Sequence, residues 1–343
     1  MRRESYDVIV VGGGVMGTSA ARALAARGRR VLLLERFHIP HKRGSSHGSS
    51  RIFRLSYPEE AYVAMAKEAL DAWHALERDS GAKLLTTTGG LDAGKRLDDH
   101  VAALATNDIP HEVLTVDEAA ERWPFMGFPT GDRVLFQADA GILAAERAWK
   151  AFASLAAAAG ADIREETAVE GIEVDGPPAV TTSAGAFEAE TIVVTAGAWA
   201  KGLLAGVGID LDVRATRETV AYFDIDRALP PTFVDWGDPS VYALPSPGRG
   251  LKAGEHIAGP TTDPDEVGWL SRESLRRLRL WMRERYPSAA PEPHYAETCI
   301  YTNTPDEHFV LERHGPVVVG SPCSGHGFKF APLIGERLAD LVG

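Results

Sequence analysis

Hydrophobic positions early in the chain gather in two short stretches, residues 6–11 and 30–34, of the kind expected for buried parallel strands. Between them, residues 18–27 are rich in Ala and Leu and free of Pro, which predicts a helix. Residues 41–50 are polar turn formers. Tyr62, Met65, Ala66, Ala69, Trp73 and Leu76 recur at helical spacing, predicting an amphipathic helix over 60–77 with its aromatic stripe in the core. Residues 86–91 read as one strand, and 101–106 and 117–123 as short helices, the latter with Asp117 at its N-cap. Residues 135–143 bring the chain back to its first layer, and propensity makes 144–159 a helix. Paired strands follow at 163–174 and 179–187. A second apolar strand at 190–194 then runs into the small-residue turn Ala196-Gly197-Ala198-Trp199. From 213 to 251 strand-like runs alternate with Pro and Gly turns, which predicts an antiparallel sheet. A charged helix at 271–286 leads through Pro287, Pro291 and Pro293 to a last strand at 316–320, a glycine turn and a closing helix over 328–341. This order predicts an α/β protein, a Rossmann-like dinucleotide domain built from separated segments with a mostly antiparallel β-sheet domain inserted.

The strand–turn–helix at the start carries Gly12-Gly13-Gly14-Val15-Met16-Gly17, with Glu35 closing the second strand. Gly12 permits the tight turn, Gly14 lets a pyrophosphate approach the backbone, and Gly17 lets the helix pack close to the sheet. The helix N-terminus offers free N–H groups to phosphate, and Glu35, about 20 residues on, can accept from a ribose diol. The motif itself leaves FAD and NAD open; the acid argues against NADP.

With 343 residues the chain is long enough for two domains, and a net charge of −12 argues against non-specific nucleic-acid binding. No apolar run reaches the length of a membrane span. Two cysteines, with no export, peroxisomal or lipidation signal, suggest a reducing cytoplasm. No Ser/His/Asp triad is evident, and Asp306-Glu307-His308 reads as a strand-edge turn rather than a metal site.

Five stretches together resemble the flavoprotein amine oxidases typified by monomeric sarcosine oxidase and N-methyltryptophan oxidase, within the D-amino-acid-oxidase-like superfamily. They are the glycine motif, His47-Gly48-Ser49-Ser50-Arg51-Ile52-Phe53-Arg54, Gly250-Leu251-Lys252-Ala253-Gly254-Glu255-His256, Cys299-Ile300-Tyr301-Thr302 with Asp306-Glu307-His308-Phe309, and Ser324-Gly325-His326-Gly327-Phe328-Lys329-Phe330. The resemblance runs nearly end to end, with a shortened tail after the last helix. It implies FAD-binding segments at 1–80, 139–212 and 299–343, and substrate-domain segments at 81–138 and 213–298.

The resemblance also implies roles, residue by residue. Gly12, Gly14, Val15, Met16, Gly17, Glu35, Arg36, His47, Ser50, Arg51, Gly325, His326, Gly327 and Lys329 would contact FAD. Cys299 would attach to it covalently, whereas Cys323 reads as an ordinary buried thiol. Lys252 would activate oxygen, Arg51 would place positive charge beside the flavin ring, and His256 and Tyr301 would be pocket residues, the four together forming the catalytic set. Arg54 and Lys329 would hold a substrate carboxylate, with Tyr242 in the pocket. The implied reaction converts a secondary-amine amino acid, sarcosine first, to an imine, which hydrolyses to aldehyde and primary amine while O2 becomes H2O2. Its partners would be a small amino acid and O2, with no metal, nucleic acid or membrane, in a monomer or weak oligomer. Larger or cyclic N-alkyl amino acids are an alternative, because Phe233, Val234 and Trp236 fall where pockets vary. A dehydrogenase or electron-transfer subunit that does not use O2 is another.

Overall fold

The structure, a computed structural model, describes residues 4–129, 133–226 and 229–343. Residues 1–3, 130–132 and 227–228, which fall within the expected segments 1–80, 81–138 and 213–298, lie outside the described residues.

The first sheet has a parallel core ordered Asp162–Arg164, Val31–Leu34, Glu4–Val11, Gly185–Val194 and Val317–Ser321. Its strands are apolar on both faces, for a visible reason. Val8, Val10, Val31, Leu33, Val193 and Val318 point into the helix layer formed by Val15–Ala26, Glu60–Ser80, Ala145–Ala158 and Ala331–Val342. Their neighbours Ile9, Val11, Leu32, Leu34, Val317 and Val319 pack on the other face against Ala200 and Leu204. Trp73, in the stripe read as core, is fully buried there.

The second sheet runs Tyr295–Asn303, Arg214–Phe223, Leu251–Glu255, Val241–Pro245, Thr232–Trp236, Gly90–Gly94, Arg133–Gln137 and Glu112–Thr115. It is antiparallel but for the pairing of Thr232–Trp236 with Gly90–Gly94. A small third sheet, Ser50–Phe53, Gly141–Ala144 and Leu85–Thr87, lies between.

Several elements differ from expectation. The strand expected at 86–91 is two strands in different sheets, broken at Gly89 (φ +74°). The run at 135–143 divides likewise into Arg133–Gln137 and Gly141–Ala144. The two crossings are tied side by side, with the N–H groups of Thr88 and Gly89 donating to the Ala140 carbonyl at 3.2 and 2.9 Å. The run at 163–174 likewise divides, Asp162–Arg164 joining the parallel edge and Val169–Glu173 an antiparallel one. Asp117 is not an N-cap: Val116–Arg122 starts at Thr115, whose side chain and Glu118 form a reciprocal capping box. The closing helix is Ala331–Val342, preceded by a 3-10 turn at Gly327–Phe330. The expected boundary between 298 and 299 falls inside Tyr295–Asn303, so Cys299 belongs to a strand of the second sheet.

Candidate active site

One large cavity, about 1040 Å³, opens between the two main sheets. At one end is the glycine turn. Gly12 sits at φ +99°, where an added Cβ would lie 2.8 Å from the Thr195 carbonyl. A Cβ on Gly17 would lie 1.8 Å from the Gly12 carbonyl, so only glycine permits this helix–turn contact. The first helical N–H, on Val15, donates to Ser46 Oγ at 3.0 Å. Glu35 is buried at the end of its strand, with one carboxylate oxygen accepting from Gly13 N–H (2.6 Å) and the other from Phe37 N–H (2.9 Å). Gly12, Gly14, Val15, Met16, Glu35 and Arg36 all line this end.

The other end is built on one face of the second sheet. Strand alternation puts Glu297, Cys299 and Tyr301 on the same face of Tyr295–Asn303. Lys252 pairs in register with Tyr222, and Gly254 with Tyr242. A Cβ on Gly254 would lie 2.6 Å from the Tyr242 hydroxyl, so this glycine makes room for the phenol. Burial pushes Tyr242 up to about 12 and Tyr301 well above the usual phenol range, with each phenol acting on the other. Gly325 makes room in the same way for the Tyr301 ring, 2.3 Å from where its Cβ would be. His256 Nε2 lies 3.1 Å from Glu307 Oε2. Glu307 is held charged by that contact against the effect of its burial.

Four cations gather here. Arg51 donates to the carbonyls of Ser45, His47 and Ser50 at 2.8, 2.6 and 2.9 Å, fixing the polar loop read from the sequence. Lys252 is buried, and desolvation, with Arg51 second, draws its ammonium down to about 7. Arg54 is 8% exposed and stacks over Tyr57 (4.2 Å) and Trp236 (5.1 Å). Its Nη1 is buried with no hydrogen-bond partner among the described residues. Lys329 stands on the 3-10 turn, which Trp73 holds by donating to the Lys329 carbonyl at 2.6 Å. Its ammonium donates to the Tyr57 hydroxyl and the His326 carbonyl, both at 2.8 Å. Burial, then Arg54, draws Lys329 well below the lysine range, and burial with Lys329 does the same to His326. Cys299 is pushed up by burial, while Arg51 and Lys252 pull it the other way.

Nearly every residue singled out from the sequence lines this one cavity, including Ser50, His256, Tyr301, Tyr242, Gly325, His326 and Gly327. Gly17 and His47 do not; Gly17 lies under the turn, and His47 is buried with both ring nitrogens unpartnered among the described residues. Burial and the nearby Arg51 draw His47 down to about 4, so it is neutral. Cys323 is half-buried and lines the cavity rather than sitting in a core. Phe233 leaves the pocket for the core, whereas Val234 and Trp236 line it. Tyr57 and Tyr62 were missed. Tyr62 was hidden in a stripe that reads as core, and Tyr57 follows Arg54 by three residues with no periodic signal.

The cavity fits a dinucleotide. Its glycine cradle has no space for side chains, a buried carboxylate stands at the strand end, and Ser50 and Ser321, both on its lining, carry buried polar atoms unpartnered among the described residues. The sequence matches the profile of FAD dependent oxidoreductases over residues 7–341. The chain belongs to this FAD-dependent oxidoreductase family. It is 33% identical to monomeric sarcosine oxidase from Arthrobacter sp. over 361 residues, spanning 99% of this chain and 93% of that protein. It is 30% identical to N-methyl-L-tryptophan oxidase from Salmonella dublin, spanning 98% and 94%. The solved structure of NikD, an unusual amino acid oxidase essential for nikkomycin biosynthesis, superposes with a TM-score of 0.88 at 29% identity, covering 99% of this chain and 94% of that one. The flavoprotein amine oxidase resemblance and the α/β fold are thereby borne out. As a member of the family, this oxidoreductase uses FAD.

Proposed function

We propose that this oxidoreductase oxidises a secondary amine carrying a carboxylate, an N-methyl amino acid with sarcosine first, and that O2 is its electron acceptor. The carrying observation is the pair of buried cations on one wall: Arg54 with an unpartnered Nη1, and Lys329 with two of its three N–H donors used. A buried guanidinium nitrogen without a partner calls for an anionic ligand, and a carboxylate reaching both groups would be held in a fixed position. The relatives named for sarcosine and N-methyl-L-tryptophan oxidation support an N-methyl amine as the other end of that ligand.

FAD, when bound, supplies the two-electron acceptor that takes a hydride equivalent from the carbon next to nitrogen, giving an imine that water hydrolyses to aldehyde and primary amine, and O2 is reduced to H2O2. The chain does the rest. Arg54 and Lys329 fix the carboxylate, and Tyr57, Tyr242 and Tyr301 wall the pocket. Arg51, Arg54, Lys252 and Lys329 disfavour the ammonium form of the substrate, whose neutralisation at pH 7 from a lysine-like pKa of about 10.4 otherwise costs roughly 4–5 kcal/mol. Lys252 holds a positive charge where reduced oxygen gathers negative charge. Gly12, Gly14, Val15, Met16, Glu35 and Arg36 would hold the adenosine diphosphate end, and Ser50, Arg51, Gly325, His326 and Gly327 the ring end. In this reading the segments 1–80, 139–212 and 299–343 serve the cofactor and 81–138 and 213–298 the substrate, in a cytoplasmic monomer or weak oligomer. The test is a peroxide-release screen over sarcosine, other N-methyl amino acids, proline, pipecolate and glycine. Sarcosine or another N-methyl amino acid should lead; no response from any of them defeats the assignment.

Cys299 is the expected site of covalent attachment. Its thiol lines the ring end of the cavity; burial holds it above the usual thiol range, and Arg51 and Lys252 offset part of that toward the thiolate a bond to carbon requires. Acid denaturation should leave the yellow colour on the polypeptide, and in Cys299→Ser the colour should separate from it completely. Colour that leaves the unaltered protein would rule the link out.

A further inference from the structure

Three charged atoms converge on Gly48. It lies at φ +101°, and a Cβ there would be 3.2 Å from Arg51 Nη1, 3.8 Å from Lys252 Nζ and 3.9 Å from Glu297 Oε1. Two cations and a carboxylate thus border the same space beside this glycine. The guanidinium is already committed, since Arg51 donates to three carbonyls of its own loop. Among the described residues nothing accepts a hydrogen bond from the Lys252 ammonium.

Glu297 is held in place from two sides. Its Oε1 accepts from the Tyr222 hydroxyl at 2.6 Å, and its Oε2 from the Tyr295 hydroxyl at 3.3 Å. Tyr222 is the register partner of Lys252, while Tyr295 is 39% exposed and joins the group to solvent. The groups facing Lys252 are Arg51 and His47 from the loop and strand at 45–53, Glu297 and Cys299 from Tyr295–Asn303, Tyr222 from the neighbouring strand, and Arg249 from the turn before its own. Two of these are cations. His47, Cys299 and Tyr222 are each driven toward their neutral forms by burial. Burial also opposes ionisation of Glu297, but the Tyr222 hydrogen bond and the positive charge nearby outweigh it and keep the carboxylate charged. It is the one negative charge in this set.

We infer that Glu297 is the counter-ion that keeps the proton on Lys252, and that Tyr222 and Tyr295 fix its carboxylate for that task. Glu297 is thus a positioning residue, acting through Lys252. The inference concerns the protonation of Lys252 itself, and rests on the proposed oxygen step only for its second readout.

The experiment follows the 13Cε resonance of Lys252 in lysine-labelled holoenzyme, assigned by its loss in Lys252→Met, as pH is raised through neutrality. Glu297→Gln should lower the midpoint by about one pH unit or more, which is a tenfold loss of the protonated form above the midpoint. Glu297→Asp should restore most of it. Should Glu297→Gln fail to fold, Tyr222→Phe, which removes one hydroxyl, should shift the midpoint the same way by less. An unmoved midpoint in folded, FAD-loaded Glu297→Gln, or in Tyr222→Phe if that is the variant read, overturns the inference. The second readout is the pH profile of oxygen uptake by pre-reduced enzyme, whose alkaline limb should move with the midpoint. A midpoint that moves without the limb leaves Glu297 as the counter-ion and instead defeats the role given to Lys252 in the oxygen step.

Discussion

Replacing Lys252 by Met should slow oxygen consumption by the substrate-reduced enzyme by about 10²–10³-fold, the usual effect of removing one preorganised electrostatic group. The rate at which substrate bleaches the oxidised enzyme without air should change only a few-fold. On the proposed reading the two half-reactions separate because Arg54 and Lys329 would meet the substrate carboxylate, while Lys252 stands on a strand of the second sheet beside Tyr222. Met keeps the length and apolar stem, so packing is little disturbed. The effect also carries a pH signature. Burial lowers Lys252 from its ordinary 10.5 to about 7, so the ammonium is present below neutrality and is lost as pH rises through that value. Oxygen uptake by the reduced enzyme should therefore fall on the alkaline side, and the Met variant should lack that limb. The sign for stability is opposite. Between about pH 7 and the ordinary lysine range the unfolded chain binds a proton that the folded chain has released, so this group makes the fold more stable as pH rises through that window. Stopped-flow measurement of each half-reaction against pH checks the first claim, and equal slowing of both half-reactions would remove Lys252 from the oxygen step.

Arg54→Met should weaken the binding of an anionic substrate by about 10²–10³-fold, or roughly 3–4 kcal/mol, within the range for truncating one partner of a buried, hydrogen-bonded charge pair. Arg54→Lys should recover only part of this. The guanidinium carbon lies over both the Tyr57 and Trp236 rings, and a planar guanidinium can stack on such rings where an ammonium cannot. Asp92, buried behind it with one oxygen accepting from Trp236 Nε1 at 2.9 Å, holds that indole in place. Anaerobic titration of substrate against the flavin spectrum gives the dissociation constant directly, and a neutral amide of the same amino acid is the control. The amide should bind poorly to the unaltered enzyme and be nearly indifferent to the substitution. An unchanged constant for the acid would place the carboxylate elsewhere.

Much of this site could be read along the chain because its parts are local. The positive φ of Gly12 and the contact of Gly17 with the Gly12 carbonyl are set within one turn and one helix, although Gly12 also abuts Thr195 at the end of a distant strand, and Glu35 closes the strand that follows. The apolar strands and the Trp73 stripe were legible because periodicity reports burial, and burial is what they do. Other features were not legible. The breaks at Gly89 and between Gln137 and Gly141 depend on two crossings bonding to each other, and no single run of residues carries that information. Tyr62 looked like core because it is largely buried, yet it also faces the cavity. Phe233 and Val234 differ by one position, and strand alternation sends them to opposite faces, one into the core and one into the pocket.

By itself the sequence determined the dinucleotide cradle, the α/β order and the identity of the charged groups, because each follows from short-range sterics or from residue type. Only the tertiary structure decided which charges share a cavity and what state they hold. Lys252 and Glu297 lie on strands far apart in the chain, joined through Tyr222 on the strand between them, and both border the space beside Gly48. The proton on Lys252 is set first by burial and then by the charges gathered around it, Arg51 foremost, and both arise only when the sheet has closed over the site.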